Sequence, residues 1–502
     1  MKRTWVYASL LCLAVSGCHG GAGTIPEMLP AASEKHVRHA TTGSVTIHPS
    51  QVGATVSNSI MGAGMGVWYN ITLSGLAQAF ETADLTTTRW PGGKQADHYH
   101  WKTNSDGPGH CSGNADPNST FDNFMQDVGL PAHLDVSITV NYGSNAACTG
   151  GGDPSEAAGW VTYANTTKNY DITWWSVGNE QYTAGSIDLY SKPHDPGQYA
   201  SNVTNYFYPQ MKAASSNPIN VCIDASPDNE QWDSVVLAQA TYDCVELHYY
   251  PQHGTIVNDQ YLLYHGAPGL TTFVQAEQAE LSAAGHAGTP IFLGELGSLV
   301  GTPGKQTQSI TQALYAGQVI GELLQDGVAR ATWHIGFGGC DPPSKGGDFS
   351  KSLYGWQNFG GAMIFSDSDG KPNCPQDVAR RGTLMATARA YQVASNFVRN
   401  GERMLGVSVN SLPDVRAYAT TYDGGYALML FNLNETTAAN VPVSIDGKSS
   451  GSGGQIVTYD KAIYDQTKNN IWNGPTSAKL SAWNENFTVS LPPWSMVVVQ
   501  TQ

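Results

Sequence analysis

The stretch ITWWSVGNE, residues 172–180, joins an apolar run of strand length to a carboxylate at its exit. A second stretch, PIFLGE at residues 290–295, repeats this pattern and ends in Glu295. Short apolar runs bounded by Gly or polar residues are typical of strands buried in a parallel sheet. An acidic side chain at the end of such a run is costly to bury unless it is paired or used. Glu180 and Glu295 are therefore the first candidate functional residues.

Similar apolar runs occur through the first two thirds of the chain, and most are separated by segments of helical character. The predicted strands cover 59–67, 85–90, 134–141, 172–178, 220–224, 245–249, 290–294 and 331–335, and the predicted helices cover 157–165, 196–215, 271–284 and 309–326. Alternation of strands and helices predicts a parallel sheet. Eight such strands fit a (β/α)8 TIM barrel, which typically needs about 250 residues. The fold class is therefore α/β, with a catalytic barrel at 56–395.

The pattern changes after residue 395, where short strand-like runs alternate with turns rich in Gly, Asn and Ser. The predicted strands cover 407–409, 415–421, 425–433, 441–443, 456–459 and 488–499. This pattern is typical of an all-β sandwich. The sequence thus predicts a C-terminal sandwich domain at 396–502. Residues 43–55, which precede the barrel, also alternate like a strand, and we expect them to join that sandwich.

The N-terminus carries the features of an export signal. Lys2 and Arg3 precede an apolar stretch that is too short for a membrane span, and the stretch ends in VSGC, which resembles a bacterial lipobox. This predicts a signal peptide at 1–18, lipidation of Cys18 and a linker at 19–42. The protein is then expected in the periplasm or at the cell surface, held by a lipid anchor. The alternative is an ordinary cleavable signal with an incidental Cys.

The bulk composition narrows the choice of partners. The 502 residues carry a net charge of −16, which argues against nucleic acid, because phosphate binding needs clustered Lys and Arg. The chain has 13 Trp and 24 Tyr but only 13% charged residues. Such a composition suits the stacking of aromatic rings on sugars, although composition alone favours the simpler explanation of a large core with aromatic packing. The sequence gives no indication of an oligomeric state.

Two carboxylates at the exits of the fourth and seventh barrel strands suit the cleavage of glycosidic bonds. Catalytic side chains of such barrels lie at the carboxyl ends of strands. One carboxyl protonates the leaving oxygen and the other acts as nucleophile, and retention requires about 5–5.5 Å between them. The alternative is two acidic loop residues paired with Arg or Lys. No cofactor is expected, because this hydrolysis needs only two carboxylates and water.

Several motifs resemble family 51 glycoside hydrolases, the α-L-arabinofuranosidases of clan A. They are TRWPGGKQADHYHWK (88–102), VNYGSN (140–145), EAAGWVTYAN (156–165), WWSVGNE (174–180), ELHYY (246–250) and LPPWSMVVVQ (491–500). The resemblance implies a barrel with catalytic Glu residues on strands four and seven, followed by a C-terminal β-sandwich. It also implies that Glu180 is the general acid/base and Glu295 the nucleophile. Asn179 would then bond the 2-hydroxyl of the sugar.

The resemblance also assigns supporting roles around the pair. Arg89 would orient Glu295 and keep it ionised, or serve as a structural ion pair of the barrel. Tyr250 would donate a hydrogen bond to Glu295. His248, which shares a face of its strand with Tyr250, would line the pocket or be a core histidine. Trp333 would be a sugar platform or a core residue.

The histidine-rich segment after the second strand leaves further alternatives open. Asp97, His98 and His100 would reach the sugar or brace their loop. A metal site built from these histidines lacks chelating spacing elsewhere in the chain, so no metal is predicted.

Three departures from the family concern the sugar site. Family 51 enzymes usually carry a Glu at the end of strand one, whereas residues 61–70 here read MGAGMGVWYN. Lys94 stands where Cys usually follows Pro-Gly-Gly, and Leu296 stands where Trp usually follows the nucleophile. Lys94 and His98 raise the alternative of a uronidase, as in the related family 79. Endo-acting glucanases and xylanases of the same clan also remain open, as does a non-enzymatic carbohydrate-binding surface lipoprotein.

The six cysteines beyond Cys18 are expected to form disulfides, because their number is even and the chain carries an export signal. The barrel prediction places them pairwise in neighbouring strands or loops. Sequential pairing is therefore preferred among the fifteen possibilities. It predicts Cys111–Cys148, Cys222–Cys244 and Cys340–Cys374.

Overall fold

The structure is a computed structural model that describes residues 43–254, 257–301, 305–338, 361–365 and 379–502. Cys18, the signal peptide at 1–18, the linker at 19–42 and the pair Cys340–Cys374 lie outside the described residues. None of the described helices combines the length and apolarity that crossing a membrane requires.

Eight parallel strands close into a barrel in chain order. They are Gly62–Gly64, Thr87–Trp90, Asp135–Val140, Trp174–Val177, Asn220–Asp224, Cys244–Tyr249, Ile291–Leu296 and Arg330–Trp333. We refer to them as the first to eighth barrel strands. The eighth strand pairs with the first, which completes the circle. The predicted TIM barrel is confirmed, and each predicted strand overlaps an observed one.

Helices follow the barrel strands. They are Leu76–Thr82, Phe121–Phe124, Pro154–Val161, Pro196–Asn202, Tyr208–Ala213, Glu230–Gln239, Asp259–Tyr261, Ala267–Ala283, Ile310–Gln325 and Ala386–Ala394, with π-helical turns at Met125–Gly129, Thr162–Thr167, Val203–Phe207 and Leu262–Gly266. Asp153 and Asp195 each cap a helix that begins with Pro, which explains where these two helices start. Short 3-10 turns lie at Asn58–Ile60, Lys94–His98, Gly109–Cys111, Lys305–Gln308 and Gln466–Asn469.

The C-terminal domain is a mostly antiparallel sheet that encloses its own apolar core. Its strands, in spatial order, are Ser450–Gly451, Trp483–Asn484, Asn486–Leu491, Ala439–Ile445, Ser44–Thr55, Arg403–Asn410, Val415–Tyr422, Gly425–Asn432, Ser495–Thr501, Gly454–Asp460 and Thr476–Leu480. The predicted combination of a TIM barrel with a C-terminal sandwich is confirmed. Residues 44–55 lie inside this sheet and pair with Arg403–Asn410 and Ala439–Ile445.

Two details of this domain differ from the sequence prediction. The single strand predicted at 488–499 is two strands, Asn486–Leu491 and Ser495–Thr501, because Pro492 and Pro493 have no N–H for a sheet ladder. A short helix, Lys461–Asp465, occurs where no helical pattern was detected. Asp460 caps the start of this helix, because its carboxylate accepts from the amide of Ile463.

The outer face of this sheet packs on the barrel helix Ile310–Gln325. A Cβ at Gly317 would lie 2.6 Å from Met496 Sδ, and one at Gly321 would lie 2.6 Å from the ring of Tyr418. Only glycine permits so close an approach. The two domains therefore share a packed interface.

Two of the three predicted disulfides are present. Cys222 and Cys244 join the fifth and sixth barrel strands. Cys111 and Cys148 join the loops after the second and third strands. Residues 112–114, which follow Cys111, line a cavity of about 560 Å³, so this disulfide restrains the rim of that cavity.

Candidate active site

A cavity of about 560 Å³ opens at the carboxyl ends of the barrel strands. Glu180 lies directly after the fourth strand and Glu295 lies near the end of the seventh, and both line this cavity. The remaining lining comes from Trp68, Asn179 and His334 and from two rim segments, residues 93–95 with His98 and residues 112–114. Side chains from several strand ends thus converge on one space, as catalytic groups do in barrels of this kind.

The two carboxylates are close enough to act on one bond. A side-chain oxygen of Glu180 and one of Glu295 lie within 4.8 Å of each other. Glu180 is 30% exposed and Glu295 only 8%. Separations of about 5–5.5 Å suit retaining hydrolysis, whereas inversion needs about 6.5–9.5 Å for a water between the groups. The geometry therefore favours direct attack by one carboxylate.

Glu295 is surrounded by groups that stabilise its ionised form. Arg89 Nη1 donates to Oε1 at 3.1 Å, and Tyr250 Oη donates to Oε2 at 2.8 Å. His334 Nδ1 and His248 Nδ1 lie 3.9 and 3.8 Å from Oε2. Burial alone would raise the pKa of Glu295, but these neighbours outweigh burial and hold the pKa well below its usual range. The group is therefore a carboxylate, as a nucleophile must be.

A buried network of charges connects the two carboxylates. His248 Nδ1 lies 2.8 Å from Glu180 Oε1, and His248 Nε2 lies 3.2 Å from Glu246 Oε1. Burial lowers the pKa of His248, but the carboxylates of Glu295, Glu180 and Glu246 outweigh burial and raise it to about 10. The imidazole is therefore a cation at neutral pH. It is buried and paired on both nitrogens.

Arg89 has both of the roles considered from the sequence. Its Nε lies 2.7 Å from Glu246, which is a structural ion pair deep in the barrel. Its Nη1 reaches Glu295, and its Nη2 donates to Asn179 Oδ1 at 2.8 Å. One rigid guanidinium thus orients Glu295, Glu246 and Asn179 together.

The set formed by Glu180, His248 and Glu295 also has three donor atoms within 4.8 Å of one another, a spacing that a metal ion would accept. Arg89 and the charged His248 already neutralise these carboxylates. The negative charge of these carboxylates is therefore already compensated by groups of the protein.

Two predicted sugar contacts are corrected by the structure. Trp333 is fully buried, packs against Tyr315 and donates from Nε1 to the carbonyl of Gly361, so the prediction of a sugar platform is wrong. Its side chain packs against the helix Ile310–Gln325, because alternate residues of a barrel strand face outward. Asp97 is also fully buried and accepts from the backbone of Asn179, so it braces the loop and does not reach the sugar.

The other residues of the segment after the second strand divide between the cavity and the core. His98 lines the cavity, with Nδ1 lying 3.4 Å from Asp106. Asp106 also accepts from Gln95 Nε2 and from the amide of Ala115, which fixes the rim. His100 pairs with Glu156 at 2.8 Å outside the cavity.

Several residues of the site were not singled out in the sequence. Trp68 and His334 line the cavity, while Glu246 and Asp224 are buried near it. Glu246 had a usable signal, because it interrupts an apolar strand and shares a face with His248 and Tyr250. Trp68 and His334 lie beyond strand ends, where no periodic pattern indicates the direction of a side chain.

Comparisons with known proteins support the fold alone. Neither a scan against protein-family models nor a search of curated protein sequences gives a match. Among solved structures, the α-L-arabinofuranosidase of Thermotoga maritima in complex with arabinose is similar, with 15% identity and a TM-score of 0.69. The family 51 arabinofuranosidase of Xanthomonas axonopodis pv. citri is similar with 18% identity and a TM-score of 0.68. A family 44 xyloglucanase of Paenibacillus polymyxa is similar with 12% identity and a TM-score of 0.63.

Each of these three alignments covers 92% of this chain and all of the other chain. The similarity therefore includes the barrel and the sandwich together. The resemblance that the motifs indicated is confirmed at the level of the fold.

Proposed function

We propose that this protein is a retaining glycoside hydrolase that works by double displacement. The observation that carries the proposal is the pairing of Glu180 with an ionised Glu295 inside one cavity. A buried ionised carboxylate beside a more exposed carboxyl group supplies the nucleophile and the proton donor that glycosidic cleavage needs. The similar solved structures are of glycoside hydrolases, which agrees with this reading.

In the first step Glu295 attacks the anomeric carbon while Glu180 protonates the departing oxygen. The bond to the leaving group breaks and a glycosyl ester forms on Glu295. In the second step Glu180 takes a proton from water, whose oxygen attacks the same carbon and releases Glu295. In this mechanism Asn179, which accepts from Arg89, bonds the 2-hydroxyl of the sugar. Tyr250 and Arg89 hold the attacking carboxylate in line.

The substrate that we favour is an α-L-arabinofuranoside in plant polysaccharide side chains or oligosaccharides. The test is a panel of nitrophenyl glycosides, with the anomer of the first product read by NMR. We expect turnover of the arabinofuranoside with retained configuration. β-Glucan and xylan chains are assayed beside the panel, and turnover of these chains instead would favour an endo-glycanase. Inversion on any substrate would contradict the double displacement.

A uronidase is the second candidate, and Lys94 is the observation that favours it. Lys94 is exposed at the cavity rim, and it makes no ion pair within the described residues. A free cation beside a sugar site is suited to a carboxylate on the sugar. A charge-assisted hydrogen bond of this kind contributes about 1.5–3 kcal/mol.

For this candidate we expect Lys94→Gln to change the ratio of two kcat/KM values, for an aryl uronide and for the matching neutral aryl hexoside. Loss of the charge should lower that ratio by roughly tenfold to a hundredfold. Lys102→Gln is the matched control, because Lys102 lies over the ring of Trp101 and does not line the cavity. An unchanged ratio in Lys94→Gln would exclude the uronidase.

A further inference from the structure

Glu180 occupies a backbone conformation that glutamate rarely adopts. Its φ is +51°, in the left-handed region, and it follows Gly178, whose φ is +84°. A side chain with a Cβ in this region costs about 1–2 kcal/mol, and such residues persist only where their surroundings hold them. The conformation decides where the carboxyl group of Glu180 points. Some part of the structure must therefore maintain it.

Two buried carboxylates hold the amides on either side of Glu180. Asp97 Oδ1 accepts from the amide of Asn179 at 3.2 Å, and Asp224 Oδ2 accepts from the amide of Gln181 at 3.0 Å. Asp97 is 0% and Asp224 1% exposed. They come from different elements, since Asp97 lies in the turn Lys94–His98 and Asp224 ends the fifth barrel strand. The peptide around Glu180 is thus fixed from two directions.

The carbonyls of the same segment are also bound. Ser186 Oγ donates to the carbonyl of Asn179 at 2.7 Å, and the amide of Thr183 donates to the carbonyl of Glu180 at 2.9 Å. Every one of these contacts is made to the backbone. They constrain the direction of the chain without engaging the side chain of Glu180, which lines the cavity and contacts His248.

Asp97 and Asp224 are costly residues for this position. Burial raises the pKa of Asp224 to about 7 and that of Asp97 well above its usual value. Neither side chain lines the cavity, so neither touches a substrate there. A buried carboxylate that only filled space would be replaced by an apolar side chain at a gain in stability. The hydrogen bonds that they accept from the amides of Asn179 and Gln181 offset this cost.

We propose that Asp97 and Asp224 are positioning residues that clamp the backbone on both sides of Glu180 and so aim its carboxyl group at the leaving oxygen. The inference rests on the proposed function, in which Glu180 is the acid/base. Release of either amide would let the peptide relax toward the right-handed region and displace the carboxyl group. A displacement of about 1 Å at a reacting group can cost about 10²-fold in rate.

The test compares Asp97→Ala and Asp224→Ala with Glu180→Ala on two glycosides of the sugar that the wild type hydrolyses. One carries a dinitrophenyl leaving group, which departs without a proton, and the other an alkyl leaving group, which needs one. A misplaced proton donor should lower kcat/KM for the alkyl glycoside by about 10²-fold. The dinitrophenyl glycoside should lose less than about tenfold, since it needs little general acid catalysis.

Two additions separate positioning from general damage. Asp97→Asn and Asp224→Asn keep an oxygen that accepts from the same amide, so they should restore much of the activity on the alkyl glycoside. Hydrogen exchange of the wild-type segment 178–182 needs no variant. The amides of Asn179 and Gln181 should be protected although they flank a residue that lines the cavity.

Several results would overturn the clamp. These are an equal loss on both glycosides in the Ala variants, unchanged activity in them, or unprotected amides at 179 and 181. If an Ala variant does not fold, the exchange measurement alone decides. The outcome for Glu180→Ala stands apart from these. If that variant shows no difference between the two leaving groups, then the proposed function fails and not merely the clamp.

Discussion

Replacing Glu295 by Gln is expected to abolish hydrolysis, with kcat/KM falling by roughly 10⁵-fold, the scale on which removal of a covalent nucleophile acts. Gln has nearly the same shape, and Tyr250 can still donate to its oxygen. The loss would therefore reflect the missing charge, since a neutral amide cannot form the glycosyl ester. Steady-state kinetics on the best substrate of the panel measures it, and thermal unfolding checks that the variant is folded.

Glu156→Gln is the matched control for this prediction. Glu156 pairs with His100 outside the cavity, so the same chemical change there should leave turnover nearly unchanged. Full turnover in Glu295→Gln would contradict the covalent mechanism. If the wild type binds oligosaccharides but hydrolyses none, the hypothesis of a non-enzymatic carbohydrate-binding lipoprotein would replace that of a hydrolase.

Azide distinguishes the two carboxylates from each other. With Glu180→Ala the glycosyl ester still forms on Glu295, so azide should yield a glycosyl azide of retained configuration. With Glu295→Ala azide would attack the substrate directly and give the inverted anomer. NMR of the two azides therefore assigns the roles independently of rate.

The barrel could be predicted from the sequence because its pattern is local. Each buried strand is an apolar run with a clear end, and ITWWSVGNE contains both the strand and the carboxylate at its exit. The order of the strands then follows from chain order, since parallel strands joined by helices close in sequence. Glu180 and Glu295 were found for the same reason.

The surroundings of the pair could not be predicted, because they depend on the direction of side chains in space. Trp333 and Trp68 are both aromatic residues near strand ends, but one packs against a helix and the other lines the cavity. Asp97 lies between residues of the cavity rim but faces the backbone of the fourth-strand loop. The left-handed conformation of Glu180 has no signal in the sequence beyond the preceding Gly178.

Arg89→Met is expected to cost about 3–5 kcal/mol of unfolding free energy at pH 7, because breaking a buried ion pair leaves its partner charged and unpaired. Glu246 is fully buried, and Arg89 Nε lies 2.7 Å from it. The double variant Arg89→Met/Glu246→Gln should recover much of the lost unfolding free energy, since it removes the unpaired charge of Glu246. Arg399→Met, which breaks an exposed pair with Asp423, is the control and should cost no more than about 1 kcal/mol.

The pH dependence of this loss provides an independent test. In the wild type, burial would raise the pKa of Glu246, but Arg89 and His248 outweigh burial and lower it below the usual 4.5. A depressed pKa contributes stability that is present above pH 4.5 and is lost as the pH falls through the folded-state pKa. Without Arg89 the balance shifts toward burial and the folded-state pKa rises, so Glu246 becomes less stabilising or costs stability at neutral pH. At lower pH Glu246 becomes protonated in both proteins, so its charge then contributes little to the difference in stability between them.

The gap in unfolding free energy between wild type and Arg89→Met should therefore be widest near pH 7 and should narrow toward pH 4. Urea denaturation at both values measures it, and Arg89→Met/Glu246→Gln should show a weaker change of the gap with pH. A gap that is the same at both values would mean that Arg89 stabilises the barrel through packing alone. In that case Arg89 would not be the group that keeps the carboxylates of this site ionised.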